Sequence, residues 1–304
     1  YSSVGEMGIA AIRRPTASSM AEAIADGHLV PYEIYRAMTV KTASEGGFPV
    51  TRGEIDWGAL DTDTRAELEA LFAESDPLIV DPTVLERRFT IPERNRALVR
   101  EFREVLEKGY VGPTGIRRAP DWGKTIVFAV TKRHAETLAR MFDEAFADKK
   151  PTTTTRYADF VVSGLGLDDT VDGAAKIKRF KKEEFPQILV SVNMLDTGFD
   201  CPEVRNLVMA RFTHSTILYQ QMRGRGTRLS PGKNRFTLWD FSGVTLRHND
   251  NEAPGEGGIV TIRPAVRPEP TRRRLLTLDL HDEIDPTTRE WVTVDETGRA
   301  FMDV

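Results

Sequence analysis

The sequence predicts an α/β fold in which a parallel sheet carries helices on both faces. Two features of residues 124–241 lead to this prediction, and the first is a set of short, mostly apolar runs of five or six residues. Strands that are buried on both faces have this composition, whereas half-exposed strands alternate apolar and polar residues. The second feature is the helical periodicity of the segments between most of these runs. Crossover helices usually connect parallel strands, so the two features favour the same architecture.

Residues 1–90 are predicted to form a connecting segment with a β-hairpin insertion. Two consecutive glycines, Gly46 and Gly47, favour the tight turn of the hairpin. The sequence from there to about Asp76 is acidic and rich in turn-forming residues. The predicted elements are a helix over Met20–Val30, an extended stretch over Tyr32–Thr42 and a hairpin strand over Phe48–Thr51.

Residues 91–245 are predicted to form the main domain, which opens with a charged amphipathic helix over Ile91–Tyr110. Ligands of parallel sheets bind where the strands end, so functional residues are expected in the loops that follow the strands. The predicted strands are Thr125–Val130, Phe160–Leu165, Ile188–Val192, Asn206–Ala210 and Phe236–Phe241. The predicted helices are Lys132–Phe146, Ala174–Glu184 and Thr216–Gly224.

Residues 246–304 are predicted to be a truncated C-terminal extension. Gly and Pro become frequent around 254–270, and Trp291–Val304 has the pattern of a closing hairpin. No chemistry is predicted for this part of the chain.

The composition is that of a soluble globular protein, with 40% hydrophobic and 29% charged residues. No apolar stretch approaches the roughly 18 residues that a membrane span needs, and the N-terminus has no signal-peptide pattern. The single cysteine, Cys201, excludes an internal disulfide and a multi-cysteine metal site. We therefore expect a cytoplasmic protein without a metal-binding cluster, and the missing initial Met leads us to expect a piece of a longer chain.

A run of basic residues stands out in this chain, whose net charge is −4. Residues 205–235 include seven Arg and Lys and no Asp or Glu, which indicates a site for phosphate groups. Within the run, Arg225 and Arg228 are three residues apart and follow Gly224. Arginine binds phosphate with two parallel hydrogen bonds, and glycine lets a ligand approach the backbone closely. The alternative is an ordinary basic surface loop.

A second motif precedes this run and follows the predicted strand Ile188–Val192. It contains Gly198, Asp200 and Pro202, in the pattern Thr-Gly-x-Asp-x-Pro. Gly198 allows a tight bend, and Asp200 can accept hydrogen bonds from a ribose or hold an arginine. The alternative for Asp200 is a turn residue that bonds its own backbone.

One further pattern, Gly123-Lys124-Thr125, is rejected as a phosphate-binding loop. Such a loop needs an earlier glycine and lies between a strand and a helix, whereas Arg118 occupies the glycine position and a predicted strand follows Thr125. The sequence has no other candidate for this loop and no Asp-Glu-x-His box for Mg²⁺.

Together, the motifs resemble motifs V and VI of superfamily 2 helicases in order and spacing, with motif IV at residues 125–133. The amino-acid sequence of residues 190–204 and 219–229 is similar to the R subunit of type I restriction enzymes in particular. This resemblance implies the second of two RecA-like lobes. It covers most of residues 20–245.

The resemblance also implies a role for each motif residue. Arg225 and Arg228 would reach the γ-phosphate of ATP and stabilise its developing charge. Gln221 and Gly224 would lie near the nucleotide, and Gly198 and Asp200 would couple the nucleotide state to the bound strand. The residues implied to touch DNA phosphates are Thr131, Lys132, Arg133 and Thr197.

The function that the resemblance implies is ATP-driven translocation on double-stranded DNA within a restriction-modification complex. ATP and Mg²⁺ would be bound mainly by the first RecA-like lobe, so this chain alone is expected to be inactive. The implied partners are that lobe, the methyltransferase and specificity subunits, and duplex DNA. Two alternatives remain: another superfamily 2 helicase or repair translocase, and a non-catalytic RecA-like module that binds DNA or partner subunits.

Overall fold

The computed structural model describes residues 20–44, 46–112, 115–162, 167–192, 199–248, 276–294 and 300–302. Its helices are α1 Met20–Ala25, α2 Val40–Ala43, α3 Thr62–Glu74, α4 Pro92–Lys108, α5 Lys132–Ala145, α6 Leu167–Lys182, α7 Thr216–Arg223 and α8 Val244–Arg247. Its strands are β1 Tyr32–Arg36, β2 Phe48–Val50, β3 Leu78–Val80, β4 Phe89–Thr90, β5 Tyr110–Val111, β6 Arg117–Arg118, β7 Lys124–Phe128, β8 Ala158–Val162, β9 Ile188–Val192, β10 Val204–Met209, β11 Phe236–Asp240, β12 Leu276–Thr277, β13 Glu290–Val294 and β14 Ala300–Met302.

The central sheet has the strand order β14-β13-β1-β11-β10-β7-β9-β8. The six strands from β1 to β8 are parallel, and β13 and β14 extend the β1 edge in antiparallel fashion. Helices are present and the sheet is mostly parallel, so the predicted fold class is confirmed. The predicted closing hairpin over Trp291–Val304 is β13–β14.

Two apolar clusters lie on opposite faces of this sheet. In β7, Val127 belongs to the cluster that contains Phe102 of α4 and Phe142 of α5. Its neighbour Ile126 belongs to the other cluster, which contains Phe180 of α6. Successive residues of a strand point to opposite faces, so both faces are covered and apolar residues are favoured at successive positions. This is the physical reason for the unbroken apolar runs.

One strand of the central sheet, β1, comes from residues 1–90, which are predicted to be a connecting segment with an insertion. This strand lies between β11 and β13 in the central sheet, with Ile34 paired to Leu238 on one side and Val292 on the other. All five of its residues are buried. Its extended conformation is predicted from the local sequence, but its place in the central sheet is not, since its partners are about 200 and 260 residues away. Residues 37–42, expected to be extended as well, include most of α2, which spans Val40–Ala43.

The predicted local hairpin at Gly46 and Gly47 is wrong. β2 pairs in antiparallel fashion with β3, and α3 lies between the two strands. Only three side chains of α3 are buried, namely Thr64, Leu68 and Phe72. The apolar residues of α3 are not concentrated on one face, so its helical periodicity is weak and the sequence predicts turns in its place.

Residues 46–91, called the inserted segment below, have a small apolar core of their own. This core includes residues from the C-terminal part of the chain. Phe48, Phe72 and Leu278 are buried in this third cluster. The contact is extended by strand pairing, because Leu276 of β12 pairs with Phe89 of β4. The insertion is thereby fixed to residues 276–280. Among the described residues, no helix has the length and apolar character that a membrane crossing requires.

Candidate functional site

Helix α7 places the Gly-Arg-Gly-Thr-Arg loop at the surface. The Ser215 hydroxyl caps its first turn by accepting a hydrogen bond from the Leu218 amide at 3.2 Å. Tyr219 and Met222 are buried in the core and anchor the helix to the sheet. The chain leaves α7 at Gly224, so the following residues emerge next to this anchored end.

The backbone of this loop is held close to strand β11 because residue 226 has no side chain. A Cβ atom at Gly226 would lie 2.5 Å from Cε2 of Phe236, which is too close for any real contact. The next residue, Thr227, is tied to the N-terminal segment, since its carbonyl accepts a hydrogen bond from the Val30 amide at 2.8 Å. The position of the loop is therefore fixed by packing on one side and by a backbone bond on the other.

Lys233 belongs to the basic run of residues 205–235, which is predicted to be a site for phosphate groups, but in the structure its side chain binds the backbone of the same loop. Its Nζ donates to the carbonyls of Gly226 at 2.6 Å, Pro202 at 3.0 Å and Arg228 at 3.1 Å. Burial, and to a lesser degree the nearby charge of Arg205, lowers the pKa of Lys233 to about 8. One buried ammonium therefore joins the end of motif V to the loop of motif VI.

The two predicted catalytic arginines lie against the motif V turn. The Nη1 atom of Arg225 donates to the carbonyl of Phe199 at 2.6 Å. Nε of Arg228 is 3.6 Å from Oδ1 of Asp200, and these two side chains are 55% and 61% exposed. An ion pair this exposed contributes little to stability, so the Arg228 guanidinium can exchange Asp200 for a ligand at small cost.

Of the other residues of motifs V and VI that are predicted to lie near the nucleotide or the bound strand, the structure describes Gln221 and Gly224 only. Gln221 is half-buried on α7, and Gly224 ends that helix with right-handed dihedral angles. Thr197 and Gly198 lie outside the described residues. The structure therefore brings Asp200, Arg225 and Arg228 together, and the roles of all of these residues stay predictions.

The motif IV turn lies at the same edge of the sheet, because β7 and β9 are parallel neighbours that end side by side. Thr131 caps helix α5, and its hydroxyl accepts a hydrogen bond from the His134 amide at 3.2 Å. Lys132 and Arg133 are exposed, and Nη2 of Arg133 donates to Thr277 at 3.3 Å. Two cations are thereby presented to solvent where a strand ends and a helix begins.

A buried polar group supports this turn and could not be predicted from any motif. The Val130 amide donates to Nδ1 of His134 at 3.2 Å, and Nε2 of His134 lies 3.2 Å from Oδ1 of Asn95. Burial, and to a lesser degree the charge of Arg94, holds the pKa of His134 well below its usual value. A neutral ring that accepts at Nδ1 carries its proton on Nε2 and donates to Asn95. His134 is thus a buried structural residue.

Asn95, which contacts His134, also contacts a buried carboxyl group. Nδ2 of Asn95 donates to Oε1 of Glu86 at 2.9 Å. Burial raises the pKa of Glu86, and the charge of Arg94 opposes that shift. Glu86 belongs to the inserted segment and has a positive φ of 63°. The inserted segment therefore contacts the motif IV helix through side chains that are far apart in sequence.

The pattern Gly123-Lys124-Thr125, rejected as a phosphate-binding loop, contains a lysine that binds backbone carbonyls within the fold. Nζ of Lys124 donates to the carbonyls of Glu183, Glu184 and Pro186 at distances of 2.6–2.9 Å. Lys124 is the first residue of β7, so it lies at the edge of the sheet opposite the motif loops. Burial lowers the pKa of this lysine as well.

Comparison with known proteins identifies the central part of the chain. Residues 114–230 match the family model described as helicase conserved C-terminal domain. The chain is 32% identical over 253 residues to the type I restriction enzyme EcoKI endonuclease subunit of Escherichia coli strain K12, which covers 80% of this chain and 19% of that protein. It is 27% identical over 241 residues to the EcoAI endonuclease subunit of Escherichia coli, covering 78% of this chain and 26% of that protein.

Among solved structures, one similar chain is the ATP-dependent Type ISP restriction-modification enzyme LlaBIII bound to DNA. The TM-score is 0.42 at 16% identity, and the match covers 73% of this chain and 12% of that chain. The present chain thus spans about a fifth to a quarter of the length of the curated relatives that it matches.

Proposed function

We propose that this chain, whose residues 114–230 are a helicase conserved C-terminal domain, is the second motor lobe of an ATP-dependent DNA translocase in a type I restriction enzyme R subunit. The observation that carries the proposal is the contact between motifs V and VI. Arg228 faces Asp200 across 3.6 Å although the two residues belong to separate loops. Identity to two type I restriction endonuclease subunits supports the assignment to this class.

The proposed chemistry assigns to this lobe the completion of a phosphoryl-transfer site. Arg228 has an exposed planar guanidinium, held by an ion pair weak enough to be replaced, and these properties fit a terminal phosphate. Arg225, bonded to the Phe199 carbonyl, would position the loop and add positive charge. The sequence contains no loop for the triphosphate and no acidic box for Mg²⁺, so another lobe would hold both. The guanidinium of Arg228 would stabilise the charge that develops as the γ-phosphoryl group leaves.

Duplex DNA is the proposed track, and the methyltransferase and specificity subunits of the restriction complex are the proposed partners of the whole protein. Lys132 and Arg133 would contact the phosphate backbone without reading the bases. A non-catalytic module is the less favoured alternative, since it would not require two arginines held at a motif V turn. Another superfamily 2 helicase remains the nearest alternative within the same class.

The chain by itself is expected to show no ATP hydrolysis above background. The physical reason is that it lacks groups to hold the triphosphate and Mg²⁺, although it supplies Arg225 and Arg228. The measurement is phosphate release with ATP, Mg²⁺ and long duplex DNA at a protein concentration in the micromolar range. Turnover that disappears in Arg225→Ala would contradict the division of labour between two lobes.

Binding of the chain to duplex DNA is expected to be weak, independent of sequence and strongly dependent on salt. Exchanging both Lys132 and Arg133 for Ala should weaken binding and reduce the slope of log K against log salt by about 2, since each phosphate contact contributes roughly 0.9. The matched control exchanges Lys178 and Lys182, which are exposed on α6 and carry the same charge. Equal effects in both pairs, or a sequence-specific footprint at high salt, would contradict the proposed DNA contact.

A further inference from the structure

Lys233 lies between the two motif loops, and only 5% of its surface is exposed. Its ammonium group has one carbonyl partner for each of its N–H donors, namely Pro202 in motif V and Gly226 and Arg228 in motif VI. The pKa of about 8, lowered by burial, leaves the amine mostly protonated at pH 7, so all of these donors are available. One side-chain atom therefore binds the backbone of both loops.

A tight turn brings Lys233 back onto the motif VI loop. The Lys233 amide donates to the Ser230 carbonyl at 3.1 Å, and Gly232 between them has a positive φ of 71°, which glycine adopts readily. Nη2 of Arg205 in β10 donates to the Gly232 carbonyl at 3.0 Å. The backbone of Lys233 is thus fixed by contacts of its own, so its side chain can act as a rigid link between the loops.

The two arginines of motif VI also contact motif V, but through the groups that the proposed reaction would use. Nη1 of Arg225 donates to the Phe199 carbonyl at 2.6 Å. Nε of Arg228 is 3.6 Å from Oδ1 of Asp200. A phosphate that binds the Arg228 guanidinium would replace Asp200, so this contact between the motifs would be lost in the occupied site. The bonds of Lys233 end on backbone carbonyls, and they can persist while Arg228 binds phosphate.

The bond to the Arg228 carbonyl bears directly on where the arginine side chain points. The same Nζ also holds the Gly226 carbonyl, so the backbone is fixed on both sides of residue 227. The guanidinium lies at the end of a long side chain, so a small change in backbone direction displaces it by a larger distance. A displacement of about 1 Å in a catalytic group can lower the rate by about 10²-fold.

We infer that Lys233 is a positioning residue for ATP hydrolysis, which holds the backbone of Arg228 in place against motif V while the guanidinium binds the terminal phosphate. The inference rests on the proposed function and adds to it a residue that would contact neither the nucleotide nor DNA. The alternative is that Lys233 only stabilises the fold, as Lys124 does at the opposite edge of the sheet. The two lysines form a matched pair, because both are buried and both bind three carbonyls.

The first experiment compares Lys233→Met with Lys124→Met in the intact two-lobed protein at pH 7, with Mg²⁺ present and duplex DNA in excess. Methionine keeps an unbranched apolar chain and removes the ammonium group. Lys233→Met should lower kcat for ATP hydrolysis about 10- to 100-fold and change KM for ATP by less than about threefold. Lys124→Met should keep kcat within about twofold of the wild type. Lys233→Gln, whose amide keeps two N–H donors, replaces Lys233→Met if the latter does not fold.

A double-variant cycle separates positioning from a general loss of folded protein. If Lys233 acts through Arg228, then Lys233→Met should change kcat by less than about twofold in a protein that already carries Arg228→Ala. A purely structural role predicts the same fold-loss in both backgrounds. The residual turnover of Arg228→Ala is measured as phosphate release at high enzyme concentration, and circular dichroism checks that each variant is folded at the assay temperature.

The second experiment needs neither ATP nor DNA and measures hydrogen exchange of backbone amides in the chain. The amides of Val204, Arg225 and Gly226 each donate to a carbonyl three residues earlier, so their exchange reports local opening of the motif loops. In Lys233→Met these amides should exchange at least about tenfold faster than in the wild type, whereas in Lys124→Met their rates should stay within about threefold. Unchanged exchange in Lys233→Met would overturn the inference, because the loops would then not depend on this lysine.

The kinetic outcomes distinguish a failure of the inference from a failure of the proposed function. A loss of kcat in Arg228→Ala but not in Lys233→Met overturns the inference and leaves the proposed function standing. An equal fold-loss from Lys233→Met with and without Arg228→Ala also overturns the inference, since Lys233 would then be a structural residue only. A normal kcat in Arg228→Ala contradicts the proposed function itself, and the inference fails with it.

Discussion

Replacing Arg228 with Ala in the intact two-lobed protein is expected to lower kcat for ATP hydrolysis by about 10³-fold or more, the range found for arginines that complete a phosphoryl-transfer site. The affinity for ATP should change far less, since the triphosphate would be held mainly by the other lobe. The guanidinium matters most where charge develops, so its loss appears in kcat more than in KM. Steady-state kinetics of the folded variant, with DNA in excess, provide the measurement.

Two further variants make this result specific. Arg228→Lys should restore only part of the activity, because an ammonium ion has no planar fork of donors. Arg247→Ala removes an exposed arginine from α8, outside the predicted motifs, and should leave kcat within about twofold. If Arg228→Ala keeps most of its kcat, the assignment of motif VI is wrong and the residue is an ordinary surface arginine.

Exchanging Gly226 for Ala is expected to lower the free energy of unfolding of the chain by about 1–3 kcal/mol or more. The new methyl group would lie 2.5 Å from Cε2 of Phe236, and that ring is 1% exposed within the core, so it has little room to move. Either the ring or the loop must shift, and a shifted loop would also displace Arg228. Thermal and urea unfolding of the chain measure the loss of stability.

The control for Gly226→Ala is Gly53→Ala, because an added Cβ at Gly53 meets no atom within 4 Å. This variant should unfold within about 0.5 kcal/mol of the wild type. A double variant with Phe236→Leu should recover part of the loss relative to the two single variants, since the smaller side chain relieves the overlap. Additive losses in the double variant would show that the destabilisation does not come from contact with the ring.

The sequence contained enough information for most elements of the central sheet because their signal is local. β9 was predicted with its observed bounds, and β7, β10 and β11 within two residues at either end. Each of these strands is buried on both faces, so its composition alone distinguishes it. The sequence allows Asp200 either to accept hydrogen bonds from a ribose or to hold an arginine. In the structure Nε of Arg228 lies 3.6 Å from Oδ1 of Asp200, and the functional roles of both residues stay predictions.

The strand pairings that the sequence could not predict share one cause, which is that the deciding partners are distant in the chain. β1 is a strand because β11 and β13 hold it, and neither lies near it in sequence. β2 contains a correct strand signal but pairs with β3 instead of a local neighbour. Loop closure costs only slightly more free energy as the loop lengthens, so a distant partner that buries more surface can replace a near one.

The sequence by itself determined the fold class, the order of the motifs and the residues that carry charge at the candidate site. The tertiary structure alone decided which basic residues are exposed and which are buried. Lys124 and Lys233 each bind three carbonyls in the interior, whereas Arg228 keeps most of its surface in solvent. A lysine or arginine looks the same in a sequence whether it binds a ligand or its own backbone. Burial and the direction of the side chain distinguish these roles, and both depend on contacts between segments that only the folded chain brings together.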